Sequence, residues 1–477
     1  MPLSQPAPTP VRIAALALLL LALSACATPP ELGARPEPRA AAPLAAGLPT
    51  GADQASFPQE NWWNGYGDAQ LSALVEEALA GSPSLAVADA RARRAAGYAQ
   101  AAGAALLPVA SASANAGWTT QSYNNGFPAQ FVPHGWQDTA RASLDLSYEI
   151  DFFGKNRAAL RAAKAEREAA EIEARTARLM LATAVAAGWA DLGRASAERE
   201  VRVAGLRLRE DTAGLVRRRV ANGLDTRAEL RQAEAAVATA RADLASADEA
   251  VALSRNALAA LLGAGPERGA TIAPPTGTAS AIALPAQLPL ELVARRGDIA
   301  AARARVEAAS ARITVARAGF YPNVNLMAFV GLQSLGLGQI TASGSDIGQA
   351  GGAISLPLFQ GGRLSGNYRV ARADYDEAVA QYDETLVRAV REVADAVASQ
   401  RAVAQQLIAA REAVDAAQEA HALARRRYEG GLSPYLSVIS AEDALLASRR
   451  LLADLQARAL SVNVQLIRAL GGGYVAA

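Results

Sequence analysis

The feature that most constrains this chain is a repeat of its own sequence at a fixed offset. Arg217-Arg218-Arg219 recurs as Arg425-Arg426-Arg427, an offset of 208 residues (425 − 217). Upstream the match continues with small slips, which fall where loops are expected. Because one unbroken register holds over a long stretch, we expect two copies of one structural plan. The same offset relates three further pairs: Gly223-Leu224 to Gly431-Leu432, Ala233-Glu234 to Ala441-Glu442, and Leu262-Gly263 to Leu470-Gly471.

Each copy ends in two long helical segments. Residues 156–221 and 364–429 contain no proline and are dominated by alanine, arginine, glutamate and leucine, which are strong helix formers. A helix of about 65 residues is roughly 100 Å long at 1.5 Å per residue. Apolar residues recur at near-heptad spacing, which requires neighbouring helices.

The turns after these helices are well specified. Gly223 fits the left-handed position that ends a helix, and either Asp225 or Thr226 can cap the next one. Thr226 with Glu229 also fits a capping box. In the second copy Gly430-Gly431 ends the helix, and Ser433-Pro434 predicts an N-cap followed by a first-turn proline. We therefore expect a helical hairpin in each copy, with its turn far from the strands. Medium-length helices are predicted at 68–107, with an interruption at 81–83, and at 295–317.

Four segments alternate like strands. Residues 139–150 alternate strictly between apolar and polar side chains, and 109–119 alternate small apolar residues with Ser111, Ser113 and Asn115. Residues 323–333 and 346–358 alternate more weakly. Their lengths suit tilted membrane-crossing strands, which need about 9–11 residues. The connections 121–137 and 334–345 are predicted to be solvent-facing hairpin loops.

Four such strands cannot form a membrane barrel alone. A bilayer tolerates strands only in a closed barrel, and single-chain barrels need at least about eight strands. Two chains would give an eight-stranded barrel, which side chains usually fill, whereas three would give twelve strands and an open lumen. The predicted fold is mostly α with membrane β: a duplicated repeat forming a long α-helical barrel plus a four-stranded contribution to a trimeric 12-stranded β-barrel. The alternative is a soluble periplasmic coiled-coil lipoprotein with small antiparallel sheets, of the adaptor type.

The N-terminus has the form of a bacterial lipoprotein signal. Arg12 precedes the apolar run 13–23, which is too short to span a membrane, and Leu-Ser-Ala-Cys26 follows it like a lipobox. We therefore predict a signal peptide at 1–25 and lipidation of Cys26; an ordinary signal peptide with an incidental cysteine is the alternative. Ala27 in place of aspartate favours sorting to the outer membrane. Residues 26–65 are expected to be the lipidated N-terminus and a flexible linker rich in proline, alanine and glycine.

Composition argues against several other classes. Lys+Arg (47) and Asp+Glu (46) nearly balance, so no field attracts nucleic acid. The two histidines, His134 and His421, lie in different predicted elements, and the one cysteine is assigned to lipid. No phosphate-binding or dinucleotide-binding glycine motif is present. We expect no enzyme activity, metal or cofactor.

The chain resembles the TolC/OprM superfamily of outer-membrane efflux channels, and most of all its NodT-type lipoprotein branch. Arg295-Arg296-Gly297-Asp298-Ile299 resembles the family's Arg-Arg-Pro-Asp-Ile, with Gly297 in place of proline. The resemblance implies a homotrimer in the outer membrane that extends into the periplasm and docks with a periplasmic adaptor and an inner-membrane pump. Other resembling stretches are Trp62-Trp63, Tyr66-Gly67-Asp68, Ser82-Pro83-Ser84-Leu85, residues 318–322 and residues 355–363.

The resemblance also implies functional positions. Its first repeat corresponds to 66–265, its equatorial linker to 266–294 and its second repeat to 295–477. The family's periplasmic aperture maps to 428–442, where Leu436 matches an apolar constriction and Ser437 and Ser440 replace frequent aspartates. Leu436 packing inside its own hairpin is the alternative. Gate candidates are Tyr428, Leu436, Ser437 and Ser440; adaptor-contact candidates are Arg219, Arg427, Gly223 and Gly431, although the arginines also suit helix C-termini as cations.

Overall fold

The computed structural model describes residues 28–40, 61–124, 126, 128–275 and 296–472. The predicted signal peptide, Cys26, part of the predicted N-terminal linker and most of the predicted inter-repeat linker lie outside these residues. The described helices are α1 (Ala69–Gly81), α2 (Pro83–Ala104), α3 (Lys155–Ala221), α4 (Arg227–Leu261), α5 (Pro266–Ala270), α6 (Gly297–Ala318), α7 (Arg363–Glu429) and α8 (Tyr435–Ala469). The described strands are β1 (Val109–Thr119), β2 (Gln137–Ile150), β3 (Asn323–Leu335) and β4 (Asp346–Ser355).

The duplication is confirmed element by element. Helices α3 and α7 each have 67 residues, and α4 and α8 each have 35. Helix α7 begins and ends 208 residues after α3, and α8 begins and ends 208 residues after α4, which is the offset seen in the sequence (363 − 155 and 435 − 227 both give 208). The long helices persist because their interiors lack proline and are rich in strong helix formers.

The four strands form one antiparallel sheet in the order β1-β2-β3-β4. The copies are joined where β2 pairs with β3, for example Asp145 with Phe329. Strand β4 ends at Ser355, three residues before the predicted end, because Pro357 lacks the N–H that a ladder requires. Among the described residues, no strand pairs with the outer edge of β1 or of β4.

One face of this sheet is almost wholly apolar. Successive side chains of a strand point to opposite faces, so the register places Ala112, Leu144 and Val330 together on one face. Leu144 and Val330 are exposed in the isolated chain. The other face carries the polar members of β2, including Arg141, Ser143 and Asp145.

The structure divides into two compact units, which are described separately. The strand unit comprises the described residues of 1–38, 92–170 and 302–382 and contains the sheet. In it, α6 packs on the first part of α7 through a cluster that includes Val306, Ile313 and Tyr375.

The hairpin unit comprises the described residues of 39–91, 171–301 and 383–477. Its main core surrounds Trp189 with apolar residues of α1, α3 and α4, and Trp62 and Trp63 join it. Asp68 caps α1 by accepting a 2.7 Å hydrogen bond from the Leu71 N–H. Within the described part of the chain, no helix combines the length and the apolar character needed to cross a membrane.

A short N-terminal segment lies along α7 within the strand unit. The Arg372 guanidinium donates to the carbonyls of Gly33 (3.3 Å) and Ala34 (2.5 Å). The Tyr375 hydroxyl donates to the Pro36 carbonyl at 3.1 Å. The chain that follows the candidate lipidation residue is therefore attached to a defined place on a helix.

Candidate functional site

The two hairpin turns have the same geometry. Gly223 and Gly431 both have φ of 75°, which confirms the left-handed position predicted for Gly223. The Leu224 N–H donates to the Arg219 carbonyl at 2.9 Å, and its counterpart Leu432 donates to the Arg427 carbonyl at 2.8 Å. These bonds satisfy carbonyls that the helix end would leave free.

The helices that leave the turns are capped differently. Thr226 caps α4 in a full capping box with Glu229, so of the two predicted caps Thr226 is the one used. The prediction for α8 is wrong in one respect. Ser433 does not cap it, because Pro434 itself has an extended backbone and occupies the N-cap position, where no side chain accepts a hydrogen bond. The Ser433 hydroxyl is buried and has no hydrogen-bond partner among the described residues.

Asp225 instead organises a polar network between the first turn and the end of α7. Its Oδ2 accepts hydrogen bonds from Arg219 Nε (3.0 Å) and from the Tyr428 hydroxyl. The Arg219 guanidinium also lies 4.6 Å from the centre of the Tyr428 ring and donates to the Glu429 carbonyl at 3.4 Å. The bond to Asp225 raises the pKa of Arg219, and burial together with Asp225 raises the pKa of the Tyr428 phenol. The network therefore holds a charged pair and a neutral phenol.

Among the described residues, the second turn has no equivalent network. At the 208-residue offset, Asp225 corresponds to Ser433 and Tyr428 corresponds to Val220 (433 − 225 and 428 − 220 both give 208). Sequence reasoning missed Asp225 as a functional residue. The signal that could have found it is this break in the repeat: a carboxylate in one copy where the other has a hydroxyl.

Tyr428 lies inside the protein rather than on an exposed face. It packs with Tyr435, Val438 and Val216 in an apolar cluster that joins both hairpins. These contacts suit Tyr428 to holding the two hairpins together.

Leu436, Ser437 and Ser440 share an exposed face of α8. The Leu436 side chain is 64% exposed, so packing inside its own hairpin does not explain it. The Ser440 hydroxyl donates back to the Leu436 carbonyl at 2.8 Å. This face is free to meet a lumen or a neighbouring copy.

Glu442 lies on the opposite, buried side of α8. It is 1% exposed, and its carboxylate accepts a 3.2 Å hydrogen bond from Thr212 and lies 3.6 Å from Arg209 Nε. Burial raises the pKa of Glu442, and Arg209 opposes the shift. Sequence reasoning noted Glu442 near the aperture but did not identify this contact with α3.

The adaptor-contact candidates divide by exposure. Arg427, Gly223 and Gly431 are exposed, whereas Arg219 is engaged by Asp225. Nearby, Arg217 pairs with Glu234 at 3.5 Å and Arg425 with Glu429 at 3.0 Å.

Comparison with known proteins gives a consistent picture. The model of the family "Outer membrane efflux protein" matches residues 74–264 and 288–472. The chain is 32% identical to the pyoverdine export outer membrane protein OpmQ of Pseudomonas putida, over 96% of this chain and 97% of that protein. It is 30% identical to the multidrug resistance outer membrane protein MdtP of Escherichia coli, over 88% of each. The solved structure of the outer membrane protein VceC of Vibrio cholerae superimposes with a TM-score of 0.82 and 44% identity, covering 88% of this chain and all of that chain.

Proposed function

The chain belongs to the outer membrane efflux protein family, and on this premise we propose that three copies form the exit duct of a tripartite efflux system. An outer-membrane efflux channel conducts molecules passively, so the energy must come from a pump. In this proposal the pump lies in the inner membrane, and a periplasmic adaptor joins it to the duct.

The observation that carries the proposal is the sheet with one apolar face and two unpaired edges. Lipid contact requires every backbone N–H and C=O to be bonded within the protein. In one chain the outer edges of β1 and β4 remain open among the described residues. Pairing β4 of one copy with β1 of the next removes all open edges. A barrel of three copies has an open lumen, whereas the interior of a barrel of two copies would be filled by side chains.

We propose that the exposed face of Leu436, Ser437 and Ser440 lines the periplasmic aperture. In the closed state three Leu436 side chains would exclude water, and the Asp225 network would hold the hairpins in place. Serine hydroxyls bind divalent cations weakly, so the aperture is expected to be less cation-selective than one ringed by aspartates. Strong divalent-cation block from the periplasmic side that is lost in Ser440→Ala would contradict this assignment.

We also propose that Cys26 carries the lipid anchor. Cys26 precedes Gly33 by seven positions (33 − 26), and an extended chain of that length spans at most about 25 Å. Gly33 is held by Arg372, which lies nine residues into α7, or about 14 Å along it. An acyl chain at Cys26 can therefore reach the membrane that the neighbouring strands are proposed to cross. Labelling with radioactive palmitate, absent in Cys26→Ser, tests the anchor.

The exposed turn residues Gly223, Gly431 and Arg427 are the proposed adaptor contacts. Both glycines have open space around them, so a partner can approach the backbone closely. Arg219 contributes by supporting the turn through Asp225.

One experiment tests the function as a whole. The protein is extracted from the outer membrane in detergent, its mass is measured and it is inserted into a planar bilayer. We expect a complex of three 49.2 kDa chains, less the signal peptide, that conducts ions. In a host whose own channel gene is deleted, expression with the matching pump and adaptor should restore drug efflux. A monomer that is soluble after lipid removal would contradict the proposal.

A further inference from the structure

A single row of side chains crosses the polar face of the whole sheet. Ser111, Asp145, Phe329 and Gln349 are direct neighbours in register from β1 to β4. The opposite face of the same strands is apolar and suits lipid, so this row faces the water-filled side. In a closed assembly of three copies the row repeats three times around the lumen.

Asp145 is held in place within this row. Its Oδ2 accepts hydrogen bonds from the Ser143 hydroxyl (2.9 Å) and from the Ser113 hydroxyl (3.4 Å). The two hydroxyls are themselves 3.1 Å apart. The two hydroxyls fix the direction of the carboxylate, so Asp145 presents its negative charge at a defined place on this face.

Arg141 supplies a positive charge beside it. Residues 141 and 145 are both odd-numbered positions of β2 and therefore share a face. The Arg141 guanidinium lies 5.0 Å from the centre of the Phe329 ring, a cation–π contact that restricts an otherwise flexible side chain. Phe329 is the direct partner of Asp145. The contact with Phe329 therefore directs the Arg141 side chain along β2 toward Asp145.

Few other charges compete on this face. Among the residues of the four strands, the only further charged side chain on the polar face is Glu149, and Lys155 pairs with it at 2.5 Å. Arg141 and Asp145 are thus the two charges that a passing ion meets in the middle of the strands.

We propose that Arg141 and Asp145 form a mixed-charge ring that sets the charge preference of the outer-membrane part of the duct. The inference rests on the proposed trimer. Twelve strands about 4.8 Å apart and tilted by about 40° enclose a backbone radius of about 12 Å. Long side chains narrow the lumen further. Permeating ions therefore pass the ring at a distance of about one Debye length or less, which is about 10 Å at 0.1 M salt. Rings of fixed charge at such distances select ions by sign.

The test uses three variants of the full-length protein in planar bilayers. Reversal potentials under a KCl gradient near 0.1 M give the ratio of cation to anion permeability. Asp145→Asn removes three negative charges and should lower this ratio at least about twofold, whereas Arg141→Gln should raise it by a similar factor. The double variant is the matched control, since it restores zero net charge and should return the ratio close to that of the wild type.

The outcomes separate this inference from the function on which it rests. Each variant is first run as an unboiled sample on a gel to confirm the trimer. In conducting trimers, neither single substitution changing the ratio of cation to anion permeability, or both changing it in the same direction, are the two contrary results. Either result would show that the ring does not select ions by charge. If the wild-type protein forms no trimer and no conductance, the proposed duct itself is wrong.

Discussion

At the residue scale, Asp225 is the group on which the turn network depends. Removing its charge should favour opening of the aperture, because Arg219 loses a charge-assisted bond worth about 1.5 kcal/mol. We expect Asp225→Asn to lower the closed-to-open ratio about tenfold, and Tyr428→Phe to act in the same direction but less. Single-channel conductance and entry of a large antibiotic into cells measure the leak.

Ser433→Ala is the matched control for this change. It alters the repeat counterpart of Asp225, whose hydroxyl has no hydrogen-bond partner among the described residues, and it should leave the leak unchanged. Equal leak in all variants, with intact trimers, would show that the network does not hold the aperture closed.

Glu442 gives the contact between α3 and α8 a pH dependence. Its pKa is raised above 4.5 by burial, so the folded state binds the proton more tightly than the unfolded state. The contribution of Glu442 to folded stability should therefore increase as pH falls from above the raised pKa toward 4.5, and change little further below it. The charged groups facing it are Arg209 on α3, Arg425 on α7 and its neighbour Asp443.

The measurement is the melting temperature as a function of pH for the wild type and for Glu442→Gln. The difference between the two proteins should change across this window. The repeat counterpart Glu234→Gln serves as control, because Glu234 is partly exposed and pairs with Arg217 and Arg231. A difference for Glu442→Gln that is constant with pH would refute the assignment.

At the element scale, the packing around Gly297 explains why glycine replaces the proline of the family motif. It is the first residue of α6, a position at which proline is usually favourable. Here a Cβ at Gly297 would lie 2.3 Å from Thr176 Oγ1, so the side chain on α3 leaves no room. We expect Gly297→Pro to cost about 1–3 kcal/mol, measured by thermal unfolding.

Thr176→Ala provides the companion to this prediction. It removes the clashing oxygen, so the proline should be tolerated or stabilising in that background, and the two substitutions should couple strongly in a double-mutant cycle. Additive effects would mean that the contact with Thr176 is not the reason for glycine.

The helices and most strand bounds could be predicted from sequence because their signals are local. Uninterrupted helix-forming composition defines α3 and α7, and strict alternation defines β2. The pattern of β4 is weaker because Gly348, Gly351 and Gly352 remove side chains from the alternation. The cap of α4 could be predicted in part: Asp225 and Thr226 both suit an N-cap, and Glu229, three residues after Thr226, completes the local signature of a capping box. What could not be predicted is the role of Asp225, because it pairs with Arg219 and with Tyr428, and Tyr428 is distant in sequence.

At the scale of the whole molecule, the decisive quantity is the number of copies that close the sheet. The chain has one native cysteine, Cys26, so new cysteines report contacts without interference when Cys26 is acylated. We expect Ala112→Cys on β1, combined in turn with Gly348→Cys, Ala350→Cys or Gly352→Cys on β4, to cross-link neighbouring copies in one of the three registers. On a denaturing gel the products should be covalent dimers and trimers and nothing larger, because a ring of twelve strands has no edge left.

A cysteine pair on the inner strands, Leu144→Cys with Val330→Cys, should cross-link only within one chain, since those residues are already partners. A series that stops at two copies would indicate a filled eight-stranded barrel, and one that continues past three would indicate an open sheet; either would overturn the trimeric duct.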